Sequence, residues 1–503
     1  MPALAAIDVG SNALRLAVGT VDQQRRLTVI ATAREALRLG QDVFNAGAIP
    51  EPTVEQLVAA FQRFRQIGQQ HGASMTRAVG TSALREARNK EMVIDAVQQR
   101  TGIELAVIGP EEEARLVHLA VSQALDLRGV RALIIDIGGG SVEVTVAENG
   151  RIAGSECFMM GAVRLLQKLE QQKAGEQRFQ RLVREYANTI DQRLKRMLGH
   201  GRIDLMAGVG GNIEALGDLR QQLLDKRGND QLSADDLDLL LKKLAALEYP
   251  ARVKQLGLRP DRADVIVPAA IVLRAVLLRA GTGKIAIPRV GLREGLLHDM
   301  VAELYQDAPV RHREQAVSAA LQLGRKFAFD EQHATVVSRF ALQLYDATRE
   351  LHGLDGHHRL LLEVAALLHD VGQFVNINGH HKHSYYLIMA SPIIGLTPQD
   401  RELVANVARY HRKAFPSIRH ENFQRLEARD RVVATKLAAI LRLADAFDTE
   451  HAAIISDVDI DSRRPKLKLT LRGEGDLLLV KWAIAKKSDL FEDVFGTGIA
   501  LSD

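Results

Sequence analysis

Ile7-Asp8-Val9-Gly10-Ser11-Asn12 and, about 128 residues later, Ile134-Ile135-Asp136-Ile137-Gly138-Gly139-Gly140-Ser141 are the stretches that decide the fold. In each, a short apolar run (Leu4 to Ile7, Ala132 to Ile135) delivers an aspartate into a loop of small residues. Glycine lets the backbone turn tightly and leaves amide N–H groups bare enough to cradle an anion, while the aspartate can hold a cation beside it. One such run is a common accident. Two, each at a strand end and each followed by a β-rich stretch, predict a duplicated phosphate clamp.

Outward from the first loop, the pattern predicts strands over Leu4–Ile7, Leu14–Val21 and Leu27–Ala33, then alternating α and β. A helix is expected over Glu51–Gln70, with Pro52 in its first turn and Val54, Leu57, Val58, Phe61, Phe64 and Ile67 at helical spacing. Met75–Val79 and Glu104–Ile108 read as strands, Glu91–Arg100 and Glu111–Ala124 as helices. The pattern then restarts, with strands over Ala132–Ile135, Ser141–Glu148 and Arg151–Met159 and two helices filling about 161–198. A strand at Leu205–Gly208 runs into a third glycine loop, Gly208-Val209-Gly210-Gly211-Asn212. Helices follow at about 213–225 and 233–247, the second capped by Ser233, and a last strand covers 283–288. Alternating β and α predicts two α/β lobes with their phosphate loops facing across a cleft. From about Val310 to Phe447 the texture becomes almost purely helical and rich in histidine. Ala453–Ile460, Lys466–Leu471 and Leu477–Ala485 then read as strands of a small unit, with Arg463-Arg464-Pro465 and Gly473-Glu474-Gly475 as turns. The expected domains are 1–125, 126–305, 306–450 and 451–503.

The gross numbers set limits. At 503 residues the chain needs three or four domains. Its 47% hydrophobic and 25% charged residues are those of a soluble globular protein, with no apolar run long enough to cross a bilayer. The start, Met1-Pro2-Ala3-Leu4-Ala5-Ala6-Ile7-Asp8, lacks the basic region of a signal peptide. A lone Cys157 excludes an internal disulfide and a cysteine metal cluster, so a cytoplasmic setting is expected. A net charge of +4 from 66 basic and 62 acidic residues gives no overall field for DNA.

Five runs carry a resemblance to a known family. Ile7 to Asn12, Gly80-Thr81-Ser82-Ala83-Leu84-Arg85-Glu86-Ala87, Glu112-Glu113-Ala114-Arg115-Leu116, Ile135 to Glu143 and Leu292-Arg293-Glu294-Gly295 occur in that order. Together they resemble the exopolyphosphatase / guanosine pentaphosphate phosphohydrolase (Ppx/GppA) family, over about residues 4–300. Arg409-Tyr410-His411-Arg412-Lys413 and His381-Lys382-His383-Ser384 extend the likeness, as in the family's long form. The resemblance implies a duplicated actin-like fold of the ribonuclease H, hexokinase and Hsp70 type, followed by an all-α HD-type domain and a small C-terminal α/β unit. It also implies a set of roles. Glu113 is the general base for water, and Asp136, with Asp8 opposite, holds Mg²⁺ (or Mn²⁺). Ser141 and Glu143 line the scissile phosphate. Arg85 binds phosphate, Gly10, Ser11, Asn12, Gly138, Gly139 and Gly140 form the N–H cradle, and Arg293 is a weaker candidate for a distal phosphate. At the third loop, relatives often carry Gly-x-Ser-Gly-Thr where this chain has Gly-Val-Gly-Gly-Asn. Gly210 and Gly211 therefore keep a phosphate role on the backbone alone. Arg15 is left facing either core or cleft.

In the helical part, His369-Asp370 is expected on a helix Leu360–Val371, with His333 about 36 residues before it and Asp445 about 75 after. This set is similar to that of HD phosphohydrolases, which implies a transition-metal site; His383 and His411 are candidates for a second metal. The family's alternative is a retained scaffold that covers a polyphosphate channel. Arg409, His411, Arg412, Lys413, Arg419 and His420 form a basic stretch suited to a polyanion. The function implied is Mg²⁺-dependent removal of terminal phosphate from inorganic polyphosphate. The alternatives are hydrolysis of pppGpp and regulatory binding of (p)ppGpp with little turnover. Homodimer formation is implied by the family, and no DNA or membrane partner is expected.

Overall fold

The computed structural model describes residues 2–170, 181, 183, 185, 192–199, 201–305, 308–462 and 466–502. The chain divides into two compact units, the first ending at Pro309 and the second starting at Val310.

The first unit contains two mixed sheets built on one plan. In the first, β1 (Ala3–Val9), β2 (Leu14–Val21), β3 (Leu27–Glu35), β4 (Ala73–Gly80) and β5 (Leu105–Val107) lie in the order β3-β2-β1-β4-β5. In the second, β6 (Arg131–Ile137), β7 (Val142–Glu148), β8 (Arg151–Phe158), β9 (Leu205–Val209), β10 (Gln231–Ser233) and β11 (Lys284–Ala286) lie in the order β8-β7-β6-β9-β11-β10. Each sheet begins with an antiparallel three-strand meander and continues with parallel strands, and β10 adds one antiparallel edge. The duplication therefore holds at the level of strand order and direction.

The first strand of each meander is buried almost throughout and ends in a glycine loop. Glu51–Gln70 is a helix over its whole expected length, burying Leu57, Val58, Phe61 and Phe64. Ser233 caps the helix Ala234–Ala245 in a capping box with Asp236. Helices at Leu39–Ala46, Tyr249–Leu256 and Ile266–Ala280 went unpredicted. The last is buried on nearly all sides, Ile266 to Leu273 without a break, so it lacks the one-sided pattern by which a surface helix is recognised. The latter part of the two helices expected over 161–198 lies largely outside the described residues.

In the second unit, helices such as Glu331–Ala347, Gly356–Leu368 and Ala428–Ala446 pack with a three-stranded sheet of β12 (Ile455–Asp461), β13 (Lys466–Gly473) and β14 (Gly498–Ser502). Helix residues and Ile455, Val458, Leu467 and Leu469 of the sheet belong to one apolar core. Two expectations are corrected here. Leu477–Ala485 is not a strand: Leu478–Lys487 is a helix that buries Val480, Ala483 and Ile484. The run Leu477-Leu478-Leu479-Val480 reads as a strand, but only the i, i+3, i+4 set finds the core, leaving Leu478, Leu479 and Trp482 exposed. The helix before His369 stops at Leu368, with His369 as its C-cap and Asp370 in the following turn. The expected turn at Arg463 to Pro465 lies outside the described residues.

Candidate functional site

The β1–β2–β3 register puts Asp8 beside Arg15 and Arg15 beside Arg34. At the matching positions of the second sheet, Asp136 is beside Glu143 and Glu143 beside Cys157. Asp8 and Asp136 thus occupy the same place in the two copies, and Arg15 and Glu143 share another.

One cleft is lined by Asp8, Gly10, Ser11, Asn12, Glu113, Asp136, Gly138, Gly139, Gly140, Ser141, Gly210, Gly211 and Arg293, and among these are residues from both glycine loops. Every one of these was expected from the sequence. Arg85 and Glu143 stand behind them and are not part of the lining. Arg85 Nη1 donates to Ile108 O at 2.7 Å and lies 3.5 Å from Glu113 Oε2, while its Nη2 is buried with no hydrogen-bond partner. Arg293 lies 3.0 Å from Glu294, which also accepts from Gly291 N at 2.9 Å.

Four carboxylates, Asp8, Glu113, Asp136 and Glu143, are gathered here with little hydrogen bonding to ease them. Glu113 Oε2 and Glu143 Oε2 are buried with no hydrogen-bond partner. Burial first, then the nearby Glu143, holds the Glu113 carboxyl well above the usual range, with Arg85 opposing. Burial also raises Glu143, and it raises Asp8 against the pull of Arg15. Asp136 is pushed up to about 7 by burial, Glu143 and Asp8. Such a surplus of buried negative charge suits a hard divalent cation on Asp8 and Asp136, both of which face the lining.

Two of the motif runs have structural work as well. Arg115 bonds Glu112 at 2.7 Å and Asp299 at 2.8 Å, tying the helix that carries Glu113 to the helix Leu292–Leu304. A Cβ at Gly295 would run into the Leu116 carbonyl, so only glycine permits that crossing. Arg15, Arg34, Asn212, Glu214 and Arg262 also line the cleft. Arg15 and Arg34 were recoverable in principle from the hairpin register that starts at Asp8. Arg262 comes from a four-residue helix, Pro260–Ala263, whose sequence carries no signal for it. Its Nη1 donates to Asn212 Oδ1 at 2.7 Å. Burial and the neighbouring Arg15 lower its pKa to about 10. Asn12 donates to Asp261 O at 2.9 Å and Arg38 pairs with Asp264 at 2.7 Å, linking the two lobes.

The second unit brings His333, His369, Asp370 and Asp445 together: Asp445 Oδ1 lies 3.6 Å from Nε2 of both His333 and His369. The second expected pair is corrected. Asp370, His380 and His411 form a close group, and His383 belongs to neither close group among the described residues. His383 is one step off the face of the helix His380–Met389 that turns toward Asp370. His411, expected both as a metal ligand and within a basic stretch suited to a polyanion, is buried. Against burial, which lowers it, the nearby Asp445 and the bonded Asp448 hold His333 at about 9, while burial takes His411 to about 3.

No helix among the described residues is long and apolar enough to cross a membrane. Among solved structures, an exopolyphosphatase from Cytophaga hutchinsonii is 25% identical, with a TM-score of 0.55, over 60% of this chain and 98% of that one. The Aquifex aeolicus Ppx/GppA family member has the same fold, with a TM-score of 0.52 at 23% identity, over 61% of this chain and 98% of that one. A Vibrio vulnificus protein named guanosine-5'-triphosphate,3'-diphosphate pyrophosphatase is 26% identical, over 95% of this chain and 91% of its own length. A Photobacterium profundum protein of the same name is 24% identical, over 88% of this chain and 86% of its own length. Residues 17–304 match the Ppx/GppA phosphatase family and residues 313–483 match domain III of Ppx/GppA phosphatases. With that match spanning more than half its length, on a duplicated fold whose glycine loops face one cleft, the chain belongs to the Ppx/GppA phosphatase family.

Proposed function

We propose that the two-lobed unit removes the terminal phosphate of inorganic polyphosphate, with Glu113 as the base. The observation that carries this is Glu113 itself: a buried carboxylate on the cleft wall, its Oε2 without a hydrogen-bond partner, opposite two N–H loops. A site that only bound polyanions would gain nothing from such a group. In the reaction, Glu113 takes a proton from water as the water oxygen bonds to the terminal phosphorus. The bridging P–O bond breaks, and the shortened chain leaves with the bond's electrons. Gly10 to Asn12 and Gly138 to Gly140 hold the phosphate oxygens through backbone N–H. Mg²⁺, or Mn²⁺, fits Asp8 and Asp136, where it supplies positive charge against the phosphates. The cytoplasm and a homodimer belong to the same reading, the former on the single cysteine.

A second substrate, pppGpp, is favoured by a specific observation: the Vibrio vulnificus and Photobacterium profundum relatives carry that activity in their names and match along most of their length. Phosphate release from long-chain polyphosphate, tripolyphosphate and pppGpp, measured in parallel with Mg²⁺, ranks the two. Glu113→Gln should retain substrate binding and lose roughly 10²–10⁴-fold in turnover, the usual worth of a general base. Turnover within a few-fold of the parent would reject the role given to Glu113, and binding without turnover in the parent would leave a regulatory (p)ppGpp receptor.

A further inference from the structure

Ser82 and Glu86 belong to the run Gly80 to Ala87, yet neither has a role in the reading just given. Both meet Arg164, which comes from the other lobe, in the helix Ala162–Glu170. Arg164 Nη2 donates to Glu86 Oε1 at 2.5 Å and to Ser82 Oγ at 3.4 Å, and the guanidinium lies over the Phe44 ring, 3.8 Å from its centre. Arg164 Nε donates to Gly140 O at 2.8 Å. One planar fork therefore joins three side chains of the first lobe to the second glycine loop. Arg164 itself does not line the cleft.

The start of the same helix holds the rest of the loop. Ala162 N donates to Gly138 O at 3.0 Å, Val163 N and Arg164 N to Gly139 O at 2.9 and 3.1 Å, and Gly161 N to Gly140 O at 3.2 Å. A Cβ on Gly161 would run into the backbone of Gly139 and Gly140, so only glycine allows this approach. In a trans peptide the C=O of one residue and the N–H of the next point to opposite sides. Tying back the carbonyls of Gly138, Gly139 and Gly140 therefore turns the N–H groups of Gly139, Gly140 and Ser141 away from the helix. These three donate to no acceptor among the described residues, whereas Gly138 N donates to Ser141 O at 3.1 Å. The first loop has the same inner bond, Gly10 N to Ala13 O at 3.2 Å, but a single carbonyl tied to the helix that follows its meander, by Gly40 N to Ser11 O at 2.8 Å.

We propose that Arg164 is a positioning residue for the second cradle: anchored by Glu86, Ser82 and Phe44 of the first lobe, it fixes the Gly140 carbonyl and so aims the Ser141 N–H at the scissile phosphate. This rests on the reading that the loop holds phosphate, and it narrows the donors of that loop to Gly139, Gly140 and Ser141. It also couples the cradle to the first lobe, because Glu86 acts on the loop through Arg164. The rival role for the same contacts is a plain ion pair that holds the lobes together.

The test measures tripolyphosphate hydrolysis by the full chain with Mg²⁺, resolved into kcat and KM. Removing a directed donor to developing charge costs roughly 10²–10³-fold in kcat, and an N–H that is only misaimed should cost less. In Arg164→Ala, kcat should fall about 10–100-fold with KM within about threefold of the parent. Arg164→Lys keeps the charge but loses the flat fork, so it should recover little of the rate. A lysine that restored the parental kcat would leave only the ion pair. Glu86→Gln should lower kcat in the same sense but less. Combined with Arg164→Ala it should slow the enzyme no further, since two changes on one path do not add. Independent, multiplying effects, or an unchanged kcat in Arg164→Ala, would overturn the proposal. Should Arg164→Ala fail to fold, Arg164→Lys and Glu86→Gln decide, and a parental kcat in both would overturn it. A parent that neither bound nor hydrolysed tripolyphosphate would instead reject the cleft as a phosphate site, and this proposal with it.

Discussion

Glu113 is in the first turn of the helix Pro110–Ala124, together with Glu111 and Glu112, yet of the three it is the one that is buried. Burial makes it a stronger base than an ordinary carboxylate and makes its protonation sensitive to nearby charge. Arg85, 3.5 Å away, opposes the rise. Removing that charge, as in Arg85→Met, takes away the interaction that favours the ionised form, so the Glu113 pKa climbs further. A base acts only when deprotonated, and its activity is lost as pH falls through its folded pKa. The acid limb of the pH–rate profile should therefore move to higher pH in Arg85→Met, with Arg85→Lys restoring most of the shift. An unmoved limb with weaker substrate binding would instead make Arg85 a phosphate contact, as the family resemblance implies.

At the scale of the element, the site is assembled from strand ends. β1 and β6 stop at their glycine loops, and β9 stops at Gly210, where the helix Gly211–Leu224 begins. Gly210 has φ +92° and ψ 148°, a conformation open in practice to glycine only, and a Cβ there would sit 2.7 Å from Asp136 Oδ1. Gly210→Ala should destabilise the fold by about 1–3 kcal/mol from the backbone alone. It should also lower turnover by displacing Asp136, measurable as a raised Mg²⁺ requirement. A variant with unchanged melting temperature and unchanged Mg²⁺ dependence would show that the third loop has slack. The helix Leu478–Lys487 gives the complementary lesson. Its leucine-rich start reads as a strand, and its conformation follows from which side finds the core, information that lies in Ile455, Leu467 and the helices and not in the segment.

For the whole molecule, the two units each have their own apolar interior. Three clusters of buried side chains belong wholly to residues 4–301 and a fourth to residues 316–491. A chain ending at Pro309 is therefore expected to fold. The solved exopolyphosphatase whose length is matched at 98% by 60% of this chain supports the same expectation. Fragment 1–309 should unfold in a cooperative transition and hydrolyse tripolyphosphate within about tenfold of the full chain, a difference of about 1.4 kcal/mol in the barrier. Loss of tripolyphosphate turnover in a well-folded fragment would assign part of the active site to the second unit.

Local sequence determined the glycine loops, the two aspartates at their mouths and the acidic helix start, because each is a strand end or helix start whose residues are contiguous. It also determined the duplication, since the same run of apolar strand, aspartate and glycine occurs twice and each copy begins the same meander. Tertiary structure alone decided which charges meet. Arg262 reaches Asn212 across 50 residues and His380 reaches His411 across 31, while His383, three residues from His380, stays outside both histidine groups. On a helix a three-residue step also carries a side chain about 60° around the axis, so a motif spelled His-His-Lys-His names the helix but not which histidine faces Asp370. Burial followed the same division: Glu111, Glu112 and Glu113 are equivalent as letters, and only packing buried the last of them.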